Sequence, residues 1–282
     1  MVIQFIESLI MKTIRPITAL HLTSALMLSL LSSHGFTQSN AGADDLAKKL
    51  ANPVAALISV PFEYTWDTKA GVNDQGDKNY LTLKPVVPIS INQEWNLISR
   101  TVMPLVKQTN ITPGTTQSGV ADITQSFFFS PKAPTSDGLI WGVGPIISIP
   151  TDENGLSSKQ WGTGPTGVLL KQSGTYTFGL LAFNLYGLGN PDAGMNKLNN
   201  LFLQPFVTKQ LGQGLSVSSN LESSYDWTGD KWTVPLNLSV AQVMKVGNQP
   251  ISFSVGARYF IERPESAPNW GLRATATFLF PK

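Results

Sequence analysis

Hydrophobic residues recur in this chain with a period of two, in segments of roughly ten residues divided by turn formers, and that pattern constrains the fold more than any other feature. From Ile58 to Trp66 the even positions are Ile58, Val60, Phe62, Tyr64 and Trp66, set against Ser59, Pro61, Glu63 and Thr65. From Leu81 to Ile91 the odd positions Leu81, Leu83, Pro85, Val87, Ile89 and Ile91 face Thr82, Lys84 and Ser90. The rhythm returns at 232–240, 251–261 and 270–280, and less cleanly at 94–106, 119–130, 139–150, 162–171, 175–186, 200–209 and 215–226. Successive side chains of a strand point to opposite faces, so each segment carries one greasy and one mostly polar face. After residue 43 no stretch reaches the ~18 consecutive apolar residues of a membrane helix. The pattern predicts an all-β chain: an antiparallel up-and-down transmembrane barrel over 57–282, of about twelve strands.

The connections carry a second signal. Longer polar links at 67–79, 107–118, 151–161, 187–199 and 262–269 alternate with shorter ones at 92–93, 172–174, 210–214 and 245–249. Segments 131–138 and 227–231 fit this scheme less well. An up-and-down barrel has long outer loops and tight periplasmic turns, which predicts an even strand number and both termini on the periplasmic side. Aromatic residues gather at strand ends (Tyr64, Trp66, Trp161, Tyr225, Trp227, Tyr259, Phe260, Trp270 and Phe280), as in girdles at a membrane interface. A soluble β-sandwich also alternates. Its strands are shorter, and its exterior would carry more charge than the 13% found here, about half the usual fraction.

Residues 1–43 read as a signal peptide, with Met11 a plausible start. Lys12 and Arg15 precede an uncharged stretch from Ile17 to Leu31, and small residues around Ala41 and Ala43 offer cleavage sites. That segment holds two of the 20 basic and one of the 18 acidic residues, so the remainder has 18 and 17, a net charge of +1. Such a balance offers no basic surface for nucleic acid. Residues 44–56 form a separate unit. An Asp start at Asp44-Asp45, leucines four apart and the stop at Pro53 predict a short helix, either a plug in the periplasmic mouth or a frayed leader.

Both histidines, His21 and His34, lie in the signal segment, and the chain has no cysteine. Hydrolases of the outer membrane rely on a histidine base, so an enzyme is the disfavoured class, and no cofactor is implied. The loop acids Asp74, Asp77, Asp152 and Glu153 read better as solvated charge than as a calcium or magnesium site. Gly142-x-Gly144 and Gly162-x-Gly164 lie within strand pattern, where close strand approach explains them better than a phosphate cradle.

Function then falls to the lumen. The polar faces place Glu63, Lys84, Arg100, Asp122, Glu222, Arg258 and Arg273 as candidate lumen-facing residues. Two readings stand: a transverse field that sorts solutes by charge, or mutual pairing that fills and stiffens a narrow barrel. A monomeric channel for passive passage of small solutes and a closed barrel whose outer loops bind a partner are the corresponding functions.

Several stretches resemble a known family. These are Asp45-Leu46-Ala47-Lys48-Lys49-Leu50-Ala51-Asn52-Pro53-Val54 with Ile58-Ser59-Val60-Pro61-Phe62, then Trp141-Gly142-Val143-Gly144-Pro145 and Pro150-Thr151. Trp161-Gly162-Thr163-Gly164-Pro165-Thr166, Leu203-Gln204-Pro205-Phe206, Lys231-Trp232-Thr233-Val234-Pro235-Leu236 and Phe278-Leu279-Phe280-Pro281-Lys282 complete the set. They are similar to bacterial outer-membrane proteins grouped with the phenol meta-pathway, often labelled "transporter" or neuromedin U. The resemblance implies an outer-membrane barrel that passes small, aromatic or hydrophobic compounds, with lipid and the barrel assembly machinery as partners. It supplies no catalytic motif. Phe280 stands two residues short of the terminal position at which many such barrels end in an aromatic.

Overall fold

The computed structural model describes residues 40–151, 155–191 and 195–281. The signal segment, apart from its last four residues, and the acids Asp152 and Glu153 lie outside the described residues. A helix, α1 (Asn40–Leu50), precedes fifteen strand segments. These are β1 (Leu57–Ala70), β2 (Gly76–Leu83), β3 (Val86–Ser90), β4 (Trp95–Thr109), β5 (Thr116–Val120), β6 (Ile123–Pro131), β7 (Leu139–Ile149) and β8 (Gly162–Ser173). They continue as β9 (Tyr176–Gly187), β10 (Asn199–Gly212), β11 (Leu215–Leu221), β12 (Ser223–Asp226), β13 (Lys231–Val246), β14 (Gln249–Glu262) and β15 (Trp270–Pro281). The pairs β2/β3, β5/β6 and β11/β12 are single staves with a break, so the ring has twelve. All neighbours are antiparallel, and β15 pairs with β1 from Leu57↔Pro281 to Thr68↔Trp270, which closes the barrel.

Each break lies opposite a proline of the neighbouring stave. Pro61, Pro104 and Pro235 have no N–H to give the ladder, though their carbonyls still accept from Lys84 (3.1 Å), Ala121 (2.9 Å) and Glu222 (3.1 Å). The break between β5 and β6 is also a bulge: Leu105 faces Val120 but Val102 faces Thr124, so two residues oppose three. The alternation in sequence reads straight through the β2/β3 and β11/β12 sites, because a missing donor on the partner strand leaves no mark on the strand that breaks, whereas the bulge between β5 and β6 shifts it by one residue.

Away from the strand ends, the outward positions carry no charge among the described residues. Phe62, Leu81, Val143, Leu169, Leu238, Val255 and Leu272 are exposed there. Aromatic pairs mark both rims: Trp66–Trp270 (5.5 Å) and Tyr225–Trp227 (4.7 Å) towards the long loops, Trp95–Trp141 (5.8 Å) towards the short turns. Phe260, grouped with the outer aromatics from sequence, points inward instead and is buried opposite Pro235, since its neighbour Tyr259 takes the outward position.

The links 71–75, 110–115, 150–161, 188–198, 227–230 and 263–269 share one end of the barrel. The other end holds 91–94, 132–138, 174–175, 213–214 and 247–248. Long and short connections thus segregate except at 132–138 and 227–230.

Candidate functional site

The lumen is built in layers, from the short-turn end upward. Helix α1 forms its floor. It begins at Asn40, four residues before the expected Asp start, because Ala41, Gly42 and Ala43 continue the helix and Asp44 has another task. Asp44 Oδ1 accepts the Gly214 N–H at 2.6 Å, tying the helix to the turn between β10 and β11. Ala43, Leu46 and Ala47 pack on Leu57, Val243 and Leu279 of β1, β13 and β15. Gln210 and Gln172 reach in from β10 and β8 and donate to the carbonyls of Ala47 (3.3 Å) and Lys48 (3.0 Å) in the last turn of the helix. After Pro53 the chain enters the barrel, and Val54 is buried against Ile98 and Phe128.

Above the floor is a cavity of about 340 Å³. Ser216, Ser218, Ser252, Ser254, Thr275 and Thr277 line one side, Leu50, Leu181 and Phe206 the other. The sequence leads one to expect a polar interior, yet the half formed by β4 to β10 holds an apolar cluster, with Ile98, Phe128, Val168, Leu170 and Leu181 buried together among polar positions such as Ser126, Thr166 and Thr208. Alternation is blurred in these segments because both faces are greasy. Gly144 and Gly164 pass so close to the neighbouring backbone that a Cβ would collide with the carbonyls of Phe127 and Asn184.

A layer of charge closes the cavity from above. Arg273 donates two parallel hydrogen bonds to Glu222, Nη1 to Oε1 at 3.0 Å and Nη2 to Oε2 at 2.9 Å. Arg258 stands 3.7 Å from Glu222 and 3.3 Å from Asp67. Lys84 Nζ donates to Glu63 Oε1 at 2.7 Å, and Arg273 Nε lies 3.5 Å from the same oxygen. Lys84 and Glu222 project inward from two of the strand breaks, at the parity their staves already set.

Five of the seven candidates, Glu63, Lys84, Glu222, Arg258 and Arg273, therefore meet in one network. Arg100 faces it from β4, opposite Val86 and Ser126, without an ion pair of its own among the described residues. Asp122 stands apart at the β5/β6 bulge. Its carboxylate accepts the Ser157 hydroxyl at 2.5 Å and the Ser158 N–H at 2.8 Å, tying these two link residues to the bulge. Gln108 adds a bond to Gly155 O at 3.4 Å, and Ser157 and Gln160 are buried. Asp67 and Lys78, absent from the candidates, also belong to the interior. Their signal was available: Asp67 continues the odd-numbered face of β1 two places beyond Thr65, and Lys78 is its partner on β2.

No family profile and no curated protein sequence matches the chain. Among solved structures, an outer membrane channel from Pseudomonas putida F1 superposes with a TM-score of 0.64 at 13% identity, over 80% of this chain and 96% of that one. The two share a fold. Outer membrane phospholipase A from Escherichia coli aligns with a TM-score of 0.46 at 12% identity, over 79% of this chain and 98% of that one.

Proposed function

We propose that this chain spans the outer membrane of a Gram-negative envelope as a monomeric channel for passive passage of small solutes. The observation that carries the reading is the pairing of a closed ring, charge-free across its outer waist, with a charged and cavitied interior. Lipid suits the first surface and water the second. The aromatic rims fit the two interfaces. The similarity in fold to an outer membrane channel supports the same reading, and so does the resemblance to the phenol meta-pathway group, which favours small hydrophobic or aromatic solutes. An enzymatic role is disfavoured by the lack of histidine and cysteine in 44–282. Lipid and the barrel assembly machinery are the partners this reading requires, and nucleic acid has no place in it.

The test is single-channel recording of the purified protein, refolded in detergent, across a planar bilayer. Discrete, reproducible current steps are expected. A second reading, a closed barrel whose outer loops bind a partner, draws on the docked helix and the paired charges that fill the lumen. A folded, inserted protein without any steps would favour it.

A further inference from the structure

The 340 Å³ cavity between the helix floor and the charged layer is large enough for a small molecule, and its walls differ sharply in chemistry. On the side of β11 to β15 the side chains are short. Ser252 faces Thr277 across the β14–β15 ladder and Ser254 faces Thr275, while Ala241 lies between Ser216 and Ser254. Ser216, Ser252 and Thr277 are only 7%, 2% and 5% exposed, yet their hydroxyls make no hydrogen bond among the described residues. Each of the three lines the cavity. A buried hydroxyl normally finds a partner, so three unpartnered ones on a single cavity wall mark a surface built to receive hydrogen bonds from a guest.

The remaining walls narrow the guest. Leu50 of α1, Leu181 of β9 and Phe206 of β10 face the hydroxyls from the far side and offer only apolar surface. Four charged residues reach the cavity, all at its ceiling, and they are already matched: Lys84 donates to Glu63, and Arg273 holds Glu222 through both Nη atoms. A charged guest would have to break one of these pairs, whereas a neutral one leaves them intact. Neighbours across an antiparallel ladder stand about 5 Å apart, a spacing that two adjacent hydroxyls of one guest can bridge.

We infer that this cavity is a binding site for small neutral alicyclic diols and polyols, hydroxylated along one edge and apolar on the other. The hydroxylated edge lies on Ser252, Ser254, Thr275 and Thr277, and the ring lies on Leu181 and Phe206. This deepens the channel reading by naming a solute class and rests on it for transport, although binding itself is independent of conduction.

The experiment follows binding of cis-1,2-cyclohexanediol to the full-length folded protein in detergent by ligand-observed NMR, with protein-free micelles as the reference. Cyclohexanecarboxylate and myo-inositol are the comparison ligands, one charged and one lacking an apolar edge. Expected are saturable binding of the diol, weaker binding of inositol and no saturable binding of the carboxylate. The double variant Ser252→Ala/Thr277→Val is expected to bind the diol about fivefold more weakly or worse, since two neutral hydrogen bonds are lost. Its denaturation midpoint should not fall, because the deleted hydroxyls have no partner in the protein to abandon. Absence of saturable diol binding by the native chain overturns the inference. Equal affinity in the double variant does the same, as does a native chain that binds the carboxylate as tightly as the diol. The ranking of the three ligands on the native chain stands even where the variant does not fold. Bilayer recording separates the two claims: current steps without diol binding retain the channel and reject the site, whereas binding without steps does the reverse.

Discussion

Glu222 holds the most exacting position among the charged residues, since it receives both Nη atoms of Arg273 and lies 3.7 Å from Arg258. Removing its charge leaves two arginines in the interior short of a partner, and breaking a buried pair in this way costs about 3–5 kcal/mol. Glu222→Gln is expected to lower the unfolding free energy in denaturant by that order, and by more than Lys49→Gln, whose bridge to Asp45 is exposed. Gly144→Ala meets a different obstacle, the Phe127 carbonyl, which has no flexible end to move aside. Overpacking of this kind costs about 1–3 kcal/mol or more, so the same denaturant titration should show a clear loss where Gly174→Ala, with open space around it, is limited to its backbone strain. Strand parity made the inward direction of Glu63, Arg258 and Arg273 legible, because a two-residue period leaves no third face. What parity cannot supply is the partner: that Arg273 of β15 grips Glu222 three staves away, while Arg100 makes no ion pair among the described residues, depends on how the staves are ordered in the closed ring.

Helix α1 and the strand breaks show what elements add to single residues. Leu46 is buried between the helix and three staves, whereas the polar latches at Gly214, Gln210 and Gln172 are hydrogen bonds worth about 0.5–1.5 kcal/mol each. A charge at position 46 would outweigh them, since burying an unpaired carboxylate costs more than they return. Leu46→Asp is therefore expected to release the helix and raise single-channel conductance, with little change in the denaturation midpoint of the ring, which closes through β1 and β15 without help from α1. Conductance equal to that of the native chain would show that the helix does not limit the path. The existence of this helix was legible from its leucine spacing and from Pro53. Its start was not, since Asp44 has the composition of a cap but spends its carboxylate on a distant turn. The breaks have a sequence signal in hindsight, an inward-facing proline on the neighbouring stave, but reading it requires knowing the register.

At the scale of the whole molecule, every stave is hydrogen-bonded on both sides, so none can leave alone. Unfolding should then be cooperative. The tryptophan pair Trp66–Trp270 reports on the seam between the first and last strands, and Trp95–Trp141 on the wall across β4 and β7. Variants retaining one pair or the other are expected to give coincident denaturation curves, and separate midpoints would mean that the seam opens first. The closed ring itself was legible in the sequence because the alternation and the segregation of long and short links both demand it. The divided interior was not: a greasy inner face and a greasy outer face on the same strand erase the period that reveals either. One consequence follows from how the floor is fastened. Gln172 and Gln210 grip main-chain oxygens, a handle that any helix end offers whatever its side chains. The lock is therefore written in the wall and the key is generic, so substitutions along the outer side of the helix can accumulate freely while the two glutamines cannot drift.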